Sequence, residues 1–228
     1  MTATSIGFLL FPDITQLDLT GPAQVLSRMP GAQLHFAATT LDPVMSDCGL
    51  ALVPTVTLAD CPPLDIVCVP GGYGTTPLMR DAAVLDWLRA QAAGARYVTS
   101  VCTGSLVLAA AGLLTGYRAG CHWAWGDQLA AFGATWVPER TVIDRNRITA
   151  GGVTSGIDFA FRLIAETHGR DVAEAVQLGL EYDPEPLAGG TPATARPEVR
   201  ATVEAIYAKR LPAVRAAIAE VAARQAPA

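Results

Sequence analysis

The sequence predicts an α/β protein: a single-domain, three-layer sandwich with helices covering both faces of a mostly parallel sheet. Three observations predict it. Strand-like β-branched or aliphatic runs alternate with helical patterns along most of the chain, the order that crossover connections produce. Several of those runs, such as "DIVCVP", are almost continuously apolar, as strands buried on both faces must be. With 228 residues, 51% hydrophobic and 16% charged, the chain is long enough to close one sizeable core.

The elements follow in chain order. "SIGFLLF" (5 to 11) reads as the first strand, stopped by Pro12-Asp13, and "DLTGPAQVLSRM" (18 to 29) as a turn and a short helix. "AQLHFAATT" is a second strand, and residues 43 to 60, where Val and Thr alternate with turn residues, are short strands or a hairpin. "LDIVCVPGG" is a strand ending in a double glycine. "DAAVLDWLRAQAAGA" is a helix with Asp81 at its cap and Gly94 at its end. Residues 97 to 101 form a buried strand and 105 to 114 a helix apolar on nearly every side.

Beyond it, Gly116 to His122 reads as a further strand and "WAWGDQLAAFG" as a short helix stopped by Gly133. Residues 135 to 152 read as a β pair turning at Asp144-Arg145-Asn146. "TSGIDFAFRLIAETHG" is a helix opened by Thr154 or Ser155, and 171 to 182 another. The domain is expected to span 1–182, a Pro/Gly/Ala-rich linker 183–197, and one Ala-rich helix the segment 198–228.

Composition narrows the function. A net charge of −5 leaves no basic stripe for a phosphate backbone, so nucleic acid is not expected. No apolar run reaches the roughly 18 residues of a membrane helix. The start "MTATSIGFLLFPD" lacks a basic n-region and a cleavage pattern, which suggests a cytoplasmic protein. Five cysteines without CxxC spacing argue against a disulfide framework or a zinc site, so no metal is expected.

One cysteine stands apart. In "VTSVCTGSLVLAAAGLL" (98 to 114), Cys102 falls at a strand-to-helix turn, where open α/β sheets place their ligands. The following helix would aim its N–H groups and positive dipole end at the sulfur and favour thiolate over the ordinary thiol, which titrates near about 8.5. Gly104 and Ser105 supply the small residues that a sharp turn needs. "VPGGYGTTP" (69 to 77) follows another strand, and the backbone amides of Gly71, Gly72 and Tyr73 could face the cysteine turn as oxyanion donors. The plainer alternative is that these glycines only turn the chain. Asp18, between Leu17 and Leu19, is an acid among apolar residues, and so is capping, paired or working. Of the three histidines, His35 lies inside a strand and His168 at a helix C-terminus, which leaves His122 of "GCHWAW" as the one candidate for a base beside the thiol. Trp123 and Trp125 then line a pocket or a packed face.

"PGG.G", then "VCTGSLVLAAAGLL", "HW" at 122 to 123 and "GG.TSGIDFA" at 151 to 160 together resemble the DJ-1/PfpI superfamily. More narrowly, "GFLLFPDITQLDLTGP", "ADCPPLDIVCVPGG" and "YVTSVCTGSLVLAAAGLL" are similar to the bacterial isocyanide hydratase branch. The resemblance implies a flavodoxin-like fold, Cys102 as nucleophile, Asp18 as the acid/base beside it and Thr103 as the residue that orders the site. It also implies an isocyanide substrate (R–NC) hydrated to an N-substituted formamide through a thioimidate, with no cofactor. A homodimer is implied too, with the C-terminal helix packed on its own domain or on the partner. Tyr73 stands where relatives commonly carry a smaller residue. The alternatives are a ligand-binding or redox-sensing protein in which Cys102 is oxidised, or another thiol-dependent activity of glyoxalase or amidase type.

Overall fold

A computed structural model describes residues 3–225. Residues 1–2 and 226–228, the outermost positions of the expected domain and of the expected C-terminal helix, lie outside the described residues. The chain opens with β1 (Thr4–Leu9), α1 (Gln16–Leu26), β2 (Ala32–Ala38), β3 (Val44–Met45), β4 (Ala51–Leu52), β5 (Val56–Thr57) and β6 (Ile66–Val69). It continues through α2 (Thr75–Leu78), α3 (Ala82–Gly94), β7 (Tyr97–Val101), α4 (Gly104–Ala110), β8 (Arg118–Ala119), a 3₁₀ segment (Gly126–Phe132) and β9 (Thr135–Trp136). The hairpin of β10 (Thr141–Asp144) and β11 (Arg147–Ala150) is followed by α5 (Ser155–His168), α6 (Arg170–Gly179), α7 (Pro197–Ala208) and α8 (Leu211–Gln225).

The main sheet has seven strands in the order β10-β11-β7-β6-β1-β2-β5. Its pairs are parallel except for the β10–β11 hairpin, which turns where Arg145 takes a φ of 54°. Helices α1 and α5 pack together on one face, while α3 and α4 pack on the other with α8 beyond α4. The sandwich predicted from alternating runs is the one observed. Its core is sealed by side chains such as Phe8, Phe159, Leu88 and Leu106, each less than 2% exposed.

Four local expectations are corrected. No turn separates Asp18 from the first helix: α1 starts at Gln16 and runs through Pro22, whose ring lies against Gly156 of α5. Helix α4 stops at Ala110, because the chain turns at Gly112, where φ is 77°. The strand expected over 116 to 122 shrinks to Arg118–Ala119. The single C-terminal helix is two, α7 and α8, separated at Lys209-Arg210. Pro212 explains the break, since it has no N–H to give the carbonyl four residues back and its ring crowds that turn. Asp81, by contrast, caps α3 as expected, accepting from the Val84 N–H at 3.2 Å.

Candidate active site

Strands β7, β6 and β1 are neighbours in the sheet, so the segments leaving their carboxyl ends meet at one place. Cys102 leaves β7, Gly71 follows β6, and Asp18 lies in the first turn of α1 after β1. Gly71 measures how tightly they converge. A methyl group on its Cα would sit 2.6 Å from the Thr103 nitrogen, 2.7 Å from Asp18 Oδ2 and 2.8 Å from Cys102 Cβ. Gly104 is constrained as sharply, because a Cβ there would lie 2.0 Å from the Val69 carbonyl oxygen.

Cys102 itself has a φ of 59°, an uncommon left-handed conformation for a residue with a side chain. The turn is pinned by its N–H, which donates to the Gly151 carbonyl at 2.8 Å. Ser105 in the next helical turn donates to the Gly120 carbonyl and shares a 2.8 Å bond with Ser100. The N–H groups of Thr103 and Val153 lie beside the sulfur and favour its charged form.

Asp18 is fully buried. Its Oδ2 accepts the Gly71 N–H at 2.9 Å, while Oδ1 has no hydrogen-bond partner. Burial pushes the carboxyl up to about 7, against the opposing pull of the Gly71 N–H and of the Cys102 thiol beside it. It is not a helix cap, since Thr15 holds the cap position.

The expectation of a thiolate is corrected. Burial first, and then the Asp18 carboxyl, hold the Cys102 thiol well above the usual thiol range, and the two N–H donors do not offset them. Burial thus works against the thiolate at Cys102 and toward a carboxyl at Asp18 that exchanges its proton near neutrality.

The glycine amides are not open oxyanion donors. Gly71 N–H is spent on Asp18, and Gly72 N–H donates to Thr103 Oγ1 at 3.0 Å. Thr103 also receives the Thr75 hydroxyl at 3.2 Å, so it ties the elbow to the glycine turn. Tyr73 lies at the pocket mouth, 40% exposed, with the Arg210 guanidinium 3.3 Å from its ring centre.

Cys102, Thr103, Gly72 and Tyr73 open onto a cavity of about 350 Å³, and Asp18 lies buried behind its wall. Its lining joins polar Thr15, Asp47, Thr75 and Thr103 with His122, Trp125, Tyr207 and Val214. His122 is in the cavity but is no triad base. Its Nδ1 accepts the Ala124 N–H at 3.2 Å, its Nε2 faces the Tyr207 hydroxyl at 3.5 Å, and burial lowers its pKa to about 4. Trp123 stacks on His122 and is not part of the cavity wall. Sequence reasoning missed the Val153 amide and the residues from the α7–α8 corner, Tyr207, Arg210 and Val214.

The DJ-1/PfpI family matches residues 4–166, and the chain belongs to it. The fold is that of the class. Within it, the chain is 57% identical over 194 residues to the isonitrile hydratase of Pseudomonas putida, covering 85% of each protein. A solved THiJ/PfpI family protein from Pseudomonas syringae superposes with a TM-score of 0.93 at 43% identity, covering 96% of this chain and 91% of that one. The HTH-type transcriptional regulator GbdR of Pseudomonas aeruginosa is 35% identical over 187 residues, 78% of this chain but 51% of the regulator.

Proposed function

We propose that this protein hydrates isocyanides to N-substituted formamides, with Cys102 as nucleophile, Asp18 as acid/base and Thr103 ordering the turn between them. The observation that carries the reading is the pairing of a buried thiol after β7 with a buried acid in the first turn of α1, either side of the β6 end, in a chain 57% identical to an isonitrile hydratase. The terminal carbon of R–N≡C accepts both a nucleophile and a proton. Asp18 takes the thiol proton as the C–S bond forms and delivers it to the same carbon, giving the thioimidate R–N=CH–S–Cys102. The carboxylate then removes a proton from water as the oxygen attacks that carbon. Collapse of the tetrahedral adduct breaks the C–S bond, releases R–NH–CHO and returns the proton to sulfur. A carboxyl that titrates at about 7 can both give and take a proton at neutral pH.

Thr103 supports this chemistry by fixing the Gly72 turn, and Gly71 by holding Asp18. Gly72 and Tyr73 border the substrate's path. Residues 1–182 form the catalytic domain in this reading, and α7 and α8 complete it. Helix α8 packs on α2, α4 and the 3₁₀ segment and lines the pocket, which makes it part of the catalytic unit in this reading. The protein acts as a homodimer in the cytoplasm, and the dimer is supported by the exposed Met45, Leu50 and Val53 around β3 and β4. Sedimentation at micromolar concentration tests it, and a monomer would remove it. Among the described residues no helix is long and apolar enough to cross a membrane.

The function is tested by following phenylformamide production from phenyl isocyanide by the wild type and by Cys102→Ala. Turnover that survives in the variant, or is missing from the wild type, overturns the proposal.

A further inference from the structure

Hydration of the thioimidate moves two protons in one step. As water adds to the carbon, Asp18 accepts a proton from the water while the nitrogen of the opening C=N bond requires one. Asp18 has by then given its proton to the carbon and, as a carboxylate, can only take one, so the proton for the nitrogen calls for a second donor.

The α7–α8 corner supplies a phenol at the cavity. On α7 only Val203 and Tyr207 are even half-buried. The Tyr207 ring is held edge-on by His122, Trp123 and Trp125, at centroid distances of 5.1, 5.7 and 5.8 Å. His122 also fixes what the hydroxyl can do. Its Nδ1 accepts the Ala124 N–H, which assigns the imidazole proton to Nε2. That proton faces the Tyr207 oxygen at 3.5 Å, so the phenol accepts from His122 and keeps its own proton to donate elsewhere. Burial, with contributions from Tyr73 and the Cys102 thiol, raises the phenol's pKa and keeps the proton in place. Three other hydroxyls at the cavity are already engaged: those of Thr75 and Thr103 bond each other and the Gly72 carbonyl, and that of Thr15 bonds Asp47.

We propose that Tyr207 is a further proton donor of the hydration, its hydroxyl bonding the nitrogen of the Cys102 thioimidate, with His122 as the positioning residue behind it. The role rests on the hydratase reading. As water oxygen bonds to the carbon, the C=N π pair moves to nitrogen and takes the Tyr207 proton, while Asp18 takes one proton from the water. As the C–S bond then breaks, the adduct's O–H proton returns to Tyr207 and Asp18 reprotonates the sulfur. Every group is restored and the product is R–NH–CHO.

The test is Tyr207→Phe, which keeps the ring and removes the donor. With phenyl isocyanide we expect kcat to fall about 100-fold, the low end for a lost general acid. We also expect the protein mass to rise by that of one intact isocyanide, because the thioimidate accumulates. His122→Phe should shift both readouts the same way, and an unchanged rate there removes the positioning role. Wild-type kcat in Tyr207→Phe, or slowing without an adduct, overturns the proposal. No turnover by the wild type removes the hydratase reading itself, and this role with it. Should Tyr207→Phe fail to fold, 3,5-difluorotyrosine at 207 keeps the shape. Its more acidic phenol should then move the alkaline loss of rate to lower pH, and an unmoved limb overturns the role.

Discussion

Replacing Gly71 with alanine adds one carbon between the acid and the thiol. The new methyl would stand 2.6 to 2.8 Å from the Thr103 nitrogen, Asp18 Oδ2 and Cys102 Cβ, about 0.6 to 0.8 Å inside ordinary contact at 3.4 Å. None of the three can yield freely. The nitrogen is backbone, and Asp18 and Cys102 are buried on short side chains. Relief must separate the carboxyl from the sulfur by a good fraction of an ångström and strain the Gly71 N–H bond to Asp18. Misplacement of about 1 Å can lower a rate some 100-fold, and overpacking a filled site costs about 1–3 kcal/mol. Gly71→Ala should therefore reduce kcat/KM by 10- to 100-fold and lower the melting temperature by several degrees. Gly94→Ala is the control, because nothing lies within 4 Å of its added methyl at the end of α3. It should keep the rate and add up to about 1 kcal/mol of stability. Steady-state kinetics and thermal melts on both variants check this. Wild-type kcat/KM in Gly71→Ala would refute the claim that the approach of acid and thiol at this turn sets the rate.

The remaining predictions concern the buried acid and the cysteines. Folded Asp18 keeps its proton up to about 7, whereas an ordinary aspartate loses it near 3.8, so between these values the folded state binds more protons. Its contribution, about 4 kcal/mol at 1.36 per pH unit, is complete below about pH 4 and is lost as the pH rises to about 7. Urea unfolding of wild type and Asp18→Asn across that range should converge toward acid and separate toward neutrality, with the variant the more stable. Asp18→Asn should also abolish turnover, and near-normal rates would remove the acid/base role. The wild-type kcat/KM should rise with an apparent pKa near 7, a value that belongs to the coupled thiol and carboxyl together. Cys68, buried in mid-sheet with its thiol pushed up to about 12, should be dispensable: Cys68→Ala keeps turnover and costs about 1 kcal/mol through a small cavity, as melts and kinetics would report.

What was legible in the sequence is what local chemistry writes. The "VCTGS" turn signalled Cys102 because Gly104 must pass within contact of the Val69 carbonyl, a demand visible as a small residue two places on. Asp18 was legible as an acid among apolar neighbours. The protonation state of Cys102 was not, since helix-end N–H groups are a local feature but desolvation comes from everything packed around the sulfur. The break between α7 and α8 had its signal in Pro212. Tyr207 had none, because α7 is exposed along most of its length and reaches the cavity only through the fold. Nor could the sequence tell that the Gly71 and Gly72 amides would be claimed by side chains.

The site is assembled from pieces far apart in the chain, and this imposes an order on its construction during translation. Cys102, Asp18 and Gly71 lie within the family-matched stretch 4–166, whereas Tyr207 and Val214 are added to the growing chain later. At about 5–20 residues per second, the ribosome takes several seconds to pass from one to the other. For that interval a folded nascent core would carry the Cys102 thiol without the α7–α8 corner that closes the cavity beside it. A stalled chain ending near residue 190 should accordingly be alkylated at Cys102 faster than the finished protein.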